Sequence, residues 1–198
     1  MHLPPQFAEN DIAILHEFMR ENPFSTIICQ TTNGIDAHHS PVLLGEDGVL
    51  RGHISRANCV WKNIANHNIL AIFHGENSYI SPSFYPSKQI DGKAVPTWNY
   101  SAVHAHGSIE FTHDKSWLLD TLNALSNFHE QDFENPWQIS DAPHEYIERM
   151  LGAIVGFEIK ITALVGQFKL SQNKSEADRE GVRTGLIKLG KNPDNLVR

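Results

Sequence analysis

With 198 residues, 40% of them hydrophobic and 20% charged, the chain can bury a full core, and no apolar run approaches the length of a membrane span. The formal net charge of −7 is unevenly placed: residues 169–198 hold seven Lys/Arg against four Asp/Glu, a net of +3, so the residues before them carry −10. An acidic body of this kind is a poor partner for a nucleic-acid backbone and leaves only the tail for phosphate contacts. Met1-His2-Leu3-Pro4-Pro5 lacks the basic-then-apolar pattern of a secretory signal. Cys29 and Cys59 both sit in apolar settings that suit buried thiols, so a cytoplasmic protein is expected.

Asn10 reads as the N-cap of a helix over residues 11–21, with Ile12, Leu15, Phe18 and Met19 at helical spacing and Pro23 ending it. Ser25–Thr31 reads as a strand, and Asn33-Gly34 turns it back through Ile35–Leu44. Gly45-Glu46-Asp47-Gly48 turns again into Val49–Ile54, followed by a short helix around Trp61–Asn66. The next strand is expected over Ile69–His74, with Gly75-Glu76 turning into Asn77–Ser81. Tyr100–Thr112 alternates as a bent strand should. Leu118, Leu122 and Leu125 then predict a helix over about 115–129. Asp141 is placed to cap another, with Pro143 in its first turn, and Val155–Leu164 reads as the last strand. Ser175-Glu176-Ala177-Asp178 resembles a capping box opening a basic terminal helix. Six or seven short strands joined by tight turns predict an α+β protein, mainly β: one domain over 1–198 built as a β-barrel with added helices. Its C-terminal half is helical over about 115–153, and a basic tail covers about 169–198.

Two stretches stand out chemically. Tyr79-Ile80-Ser81-Pro82-Ser83-Phe84-Tyr85-Pro86 is answered by Val95-Pro96-Thr97-Trp98-Asn99-Tyr100, a stiff aromatic pair of rims that reads either as the wall of a flat ligand site or as a small aromatic core. His53-Ile54-Ser55-Arg56-Ala57-Asn58 lies where a strand gives way to a helix start. There Ser55, Arg56 and Asn58 form a possible phosphate cradle, or plain helix caps beside a surface charge, the commoner arrangement. The twelve histidines include His104-Ala105-His106 on one strand face, with His38-His39 and His53 as possible neighbours, but no zinc-type spacing accompanies them, so no metal site is assigned. A haem would need only one histidine. No catalytic triad or nucleophile elbow is legible, and no catalytic residue is assigned. Lys169-Leu170-Ser171-Gln172-Asn173 is polar for a strand exit and reads as a turn or as a set of ligand donors.

Taken together, His53-Ile-Ser-Arg-Ala-Asn, Tyr79-Ile-Ser-Pro-Ser-Phe-Tyr, Val95-Pro-Thr-Trp-Asn-Tyr-x-x-Val-His-Ala, Ile154-Val-Gly-Phe-Glu-Ile and Lys169-Leu-Ser-Gln-Asn-Lys-Ser-Glu-Ala-Asp-Arg resemble the PaiB family over about Met1 to Gly185. That family is described as FMN-binding negative transcriptional regulators with a split-barrel fold related to pyridoxamine-phosphate oxidases. The resemblance implies a homodimer with FMN in the groove between subunits. Its phosphate would be held by Ser55 and Arg56 with Asn58 close by, and its ring would lie against Tyr79, Ser81, Trp98 and Asn99. Lys169 and Gln172 would come from the other subunit, and Phe84 stands where the family pattern has Trp. A repressor needs a DNA-reading element, but no helix-turn-helix spacing is present, so direct operator binding is not expected. The alternatives are a flavin-dependent oxidoreductase and a haem-handling protein of the same barrel type; the sequence does not decide whether the chain is an enzyme.

Overall fold

The computed structural model describes all 198 residues. A single 3-10 turn and the two-residue strand β1 (Ala8–Glu9) lead into α1 (Ile12–Glu21), whose Leu15 and Met19 are buried. The cap lies one residue later than Asn10: the Asp11 carboxylate accepts from Ala13 N–H at 2.8 Å. β2 (Phe24–Thr31) and β3 (Gly34–Leu44) form the expected hairpin, with Thr31 opposite Gly34. β4 (Val49–Ser55) alternates with Leu50, Gly52 and Ile54 buried. α2 (Val60–Asn63) is one turn, shorter than the pattern predicts, because Ile64 already begins β5 (Ile64–Ile80).

β5 runs without a break where a turn at Gly75-Glu76 is expected. Gly75 answers a packing need there: a Cβ would stand 2.9 Å from Cε2 of the Phe18 ring. A 3-10 turn at Pro82–Phe84 and the four-residue α3 (Lys88–Asp91) lead to β6 (Thr97–Thr112). α4 (Lys115–Glu130) is capped by Asp114, whose carboxylate accepts from Trp117 N–H at 2.8 Å. Asp141 closes a 3-10 turn with Gln138, so α5 (His144–Gly152) starts behind Pro143 instead. β7 (Ile154–Lys169) is longer than expected, and α6 (Glu176–Lys188) follows its Ser175 cap. Only half of the capping box forms, because the Asp178 carboxylate accepts from Ser87 N–H and Oγ–H at 3.1 and 2.9 Å.

The strands order as β1-β7-β4-β3-β2-β5-β6, and β6 also pairs with β7, which closes the order on itself. The fold is the α+β split barrel. At the closure a Cβ on Gly107 would fall 2.6 Å from Lys160 O, so glycine permits the close approach of β6 to β7.

Two compact units divide the chain. One comprises Met1–Phe18, His74–His104 and Val165–Arg198; in its core Leu196 and Val197 pack with Ile80, Tyr85, Val182 and Leu186. Phe84 belongs to this packing, its backbone and ring fitting against Gly181 and Gly185, one turn apart on α6. Three of the seven basic residues of 169–198 are engaged here: Arg183 donates to Val197 O at 3.2 Å, Lys191 to Asn77 O at 3.2 Å, and Arg198 to Glu9 at 2.9 Å. The other unit comprises Met19–Phe73 and Ala105–Leu164, with Leu50, Phe73, Leu118, Phe157 and Ile159 fully buried.

Candidate functional site

Within the second unit, β4 ends at exposed Ser55, and a tight turn follows in which Asn58 N–H donates to Ser55 O at 2.9 Å and Ala57 N–H to Ser55 Oγ at 3.3 Å. Arg56 reaches across to the end of α5. Its Nε donates to Gly152 O and its Nη2 to Ile154 O, both at 2.7 Å, while its Nη1 stands 3.1 Å from His113 Nδ1. Its backbone N–H donates to Ala153 O at 2.8 Å, and Trp61 Nε1 donates to Arg56 O at 3.2 Å. A guanidinium has about five N–H donors. These contacts occupy three of them and leave two.

Asn58 is held on both sides: its Oδ1 accepts from Val60 N–H at 3.1 Å, and its Nδ2 lies 3.1 Å from His38 Nδ1. The other nitrogen of His38 is 3.4 Å from Asp36 Oδ2, close enough for an ion pair but without hydrogen-bond geometry. With a single turn in α2 and no side-chain cap at Cys59, the anion attraction of a helix start is small, and what remains for a phosphate is side chains. Cys59 is exposed, not buried as its apolar neighbours suggest, because it sits at the helix entry with Sγ turned to Ala57 O at 3.6 Å.

The first unit carries the other six candidates. Tyr79 and Trp98 are 45% and 53% exposed and meet edge-to-face, with ring centroids 6.1 Å apart at 72°. Trp98 also lines an open groove of about 270 Å³ with His74, Gly75, Asn77, Tyr100 and Ser101. Ser81 caps the Pro82–Phe84 turn, accepting from Ser83 N–H at 3.2 Å with Ser83 Oγ at 2.7 Å. Asn99 is buried; its Nδ2 donates to Ser171 Oγ and Leu196 O, each at 2.8 Å. Gln172 closes on its own backbone, Oε1 accepting from Leu170 N–H at 2.6 Å and Nε2 donating to Phe168 O at 2.5 Å. Lys169 Nζ donates to Thr97 Oγ1 and lies 6.0 Å from the Phe7 ring centre. Burial, and then the charge of Lys174, hold its pKa below the usual lysine value.

The structure thus brings Ser55, Arg56 and Asn58 into one turn, Tyr79 against Trp98, and Lys169 against the residue before Trp98. Sequence reasoning did not connect His38, His113 and Trp61 with the Ser55 turn that they hold, or Thr97 with Lys169. The signal for them lies in strand pairing and helix docking, which no single motif carries. Three buried polar atoms have no hydrogen-bond partner: His38 Nε2 beside Asp36, His53 Nδ1, whose imidazole pKa burial pushes down, and the Tyr85 hydroxyl, whose pKa burial and then Asp178 push up. No three His, Cys, Asp or Glu side chains are grouped to hold a metal ion, and no helix is long and apolar enough to cross a membrane.

A family model described as "Putative FMN-binding domain" matches residues 1–163. An uncharacterized protein of Emericella nidulans is 32% identical over 96% of this chain and 92% of its own length. The Bacillus subtilis protein named protease synthase and sporulation protein PAI 2 is 30% identical over 90% of this chain and 85% of its own length. Among solved structures, the FAD and haem binding protein of Mycobacterium smegmatis superposes with a TM-score of 0.61 at 11% identity, covering 90% of this chain and 80% of that one, a likeness of fold.

Proposed function

The chain belongs to the PaiB-like FMN-binding family, and from that premise we propose that it works as a homodimer with FMN held at the dimer interface. The observation that carries this reading is the half-exposed pair Tyr79 and Trp98, two rings left open to solvent where a flat heteroaromatic ligand would recover their burial. The residues present fit a flavin. Ser55 offers an exposed hydroxyl and Arg56 two remaining donors for a phosphate, while Tyr79, Trp98 and Ser81 supply an apolar wall with a polar edge. Asn58, Asn99 and Gln172 act one step back, shaping the turns that present Arg56, Trp98 and Lys169. Lys169 of a second copy supplies a cation to the ligand. Bound FMN supplies one- and two-electron redox chemistry.

Regulation of transcription, on this reading, does not pass through direct operator recognition. The body is acidic, and Arg183, Lys191 and Arg198 are bonded within the fold, so the tail is no free basic arm. Footprinting with excess competitor DNA should show no protected operator, and light scattering should show a dimer at micromolar concentration.

Titration of FMN and riboflavin against the wild type and Arg56→Ala tests the phosphate site. Charge-assisted hydrogen bonds contribute about 1.5–3 kcal/mol each, so FMN affinity should fall by about ten-fold to a few hundred-fold. Riboflavin, which lacks the phosphate, should bind both proteins alike. Equal losses for the two ligands would sink the cradle and leave Arg56 as a brace for α5.

A further inference from the structure

Away from the flavin residues, the second unit has a cavity of about 580 Å³ between α4, the 138–142 segment and α5. Its floor is apolar: Leu119, Ile139, Ile147 and buried Leu151. Its rim is made of neutral polar groups, with Asn123 and Asn127 one turn apart on α4 and Gln138 and Ser140 opposite. The volume lies within the roughly 300–1,000 Å³ of small-molecule sites, and polar and apolar groups share a groove that is open to solvent.

The charges in this cavity select among ligands. No Lys or Arg lines it, so it offers an anion no unpaired lysine or arginine. Glu148 is the one carboxylate in the wall, with His144 a turn before it on α5. That carboxylate already holds an ammonium group: Lys115 Nζ, from the first turn of α4, donates to Glu148 Oε2 at 2.5 Å. The bond, and then the Coulomb attraction, hold the Glu148 pKa below the usual carboxylate range. The Lys115 side chain is mostly exposed, so a competing ammonium can displace it at little cost.

We propose that the cavity between α4 and α5 is a binding site for a small organic amine with an apolar body. The ammonium replaces Lys115 at Glu148, and the body lies on Leu119, Ile147 and Leu151 towards Asn123 and Asn127.

The test uses the full chain loaded with FMN and three matched probes of one size: phenethylamine, phenethyl alcohol and phenylacetate. Binding is followed by chemical-shift changes of the Asn123 and Asn127 side-chain amides. Phenethylamine should bind most tightly, the alcohol more weakly, and phenylacetate not at all. Glu148→Gln should weaken phenethylamine by about ten-fold and leave the alcohol unchanged. Lys115→Ala should strengthen phenethylamine by a few-fold, a sign that damage to the fold cannot produce. Phenylacetate binding as well as phenethylamine would overturn the proposal. So would weaker amine binding in Lys115→Ala, unchanged amine binding in Glu148→Gln, or no binding by any probe.

Discussion

In the unit containing the Ser55 turn, the polar side chains that a phosphate would use are already held by the protein. Arg56 grips the Gly152 and Ile154 carbonyls at the end of α5 and just beyond it, and Asn58 is pinned between Val60 and His38. The unit containing the aromatic pair is organised the other way. Its polar candidates Asn99 and Gln172 are closed inward, while Tyr79 and Trp98 remain half-exposed. The difference follows from the groups themselves: a buried donor must find an acceptor inside the fold, whereas an aromatic ring can face water and still wait for a partner. A polar residue of the first kind serves fold and ligand together, so its mutation mixes the two. An open ring reports on ligand more cleanly.

Four substitutions break or sharpen this contrast. The largest effect is expected from Leu196→Ala. This buried side chain packs with Ile80, Tyr85 and Leu186, and its loss should cost about 2–5 kcal/mol in urea unfolding. Hydrogen exchange should accelerate in residues 74–104 and 165–198 first; equal acceleration around Arg56 would mean that the two units do not open separately.

Asp178→Asn comes next, at about 1.5–3 kcal/mol for charge-assisted bonds from Ser87. Burial alone would raise this carboxyl's pKa, but the Ser87 and Ser175 bonds and the charge of Lys174 outweigh it and leave the pKa below 3.8. A depressed folded-state pKa contributes stability that is present above the unfolded value and lost as pH falls through the folded one. On acidification the wild type should therefore lose more stability than Asp178→Asn does, and identical limbs would remove the assignment.

Trp98→Ala should weaken flavin by about ten-fold, or about 1.4 kcal/mol, and should do so equally for FMN and riboflavin. A loss confined to FMN would place Trp98 at the phosphate instead. The smallest effect belongs to His53, whose pKa burial depresses below 6.5. Above that value both folded and unfolded imidazoles are neutral. As pH falls through it the unfolded chain takes up a proton that the folded imidazole resists, so stability drops and then levels off below the folded pKa. His53→Gln should flatten that shallow step, measured by thermal unfolding between pH 7 and 5.

Much of the architecture was legible because its signals are local. The Asn33-Gly34 hairpin, the helical spacing of Leu118, Leu122 and Leu125, and the Ser175 cap each depend on residues a few positions apart. Gly75 was misread because glycine serves turns and close packing alike, and the partner that distinguishes them, Phe18, is far away in sequence. The same limit governs the candidate site. The residue types Ser55, Arg56, Tyr79 and Trp98 could be named from the order of motifs. That Arg56 spans to Gly152, or that Asn99 turns inward to Leu196, depends on contacts across roughly half the chain.

The Arg56 contact to the end of α5 has a thermodynamic consequence. One guanidinium serving both Gly152 O and a phosphate ties the order of that helix end to ligand occupancy, and coupling of this kind is reciprocal. If phosphate draws the guanidinium away from the carbonyls, FMN should speed amide exchange near Ala153 and riboflavin should not. A variant that loosens α5 should then raise the affinity for FMN. A cofactor site of this form also reads the state of its own scaffold.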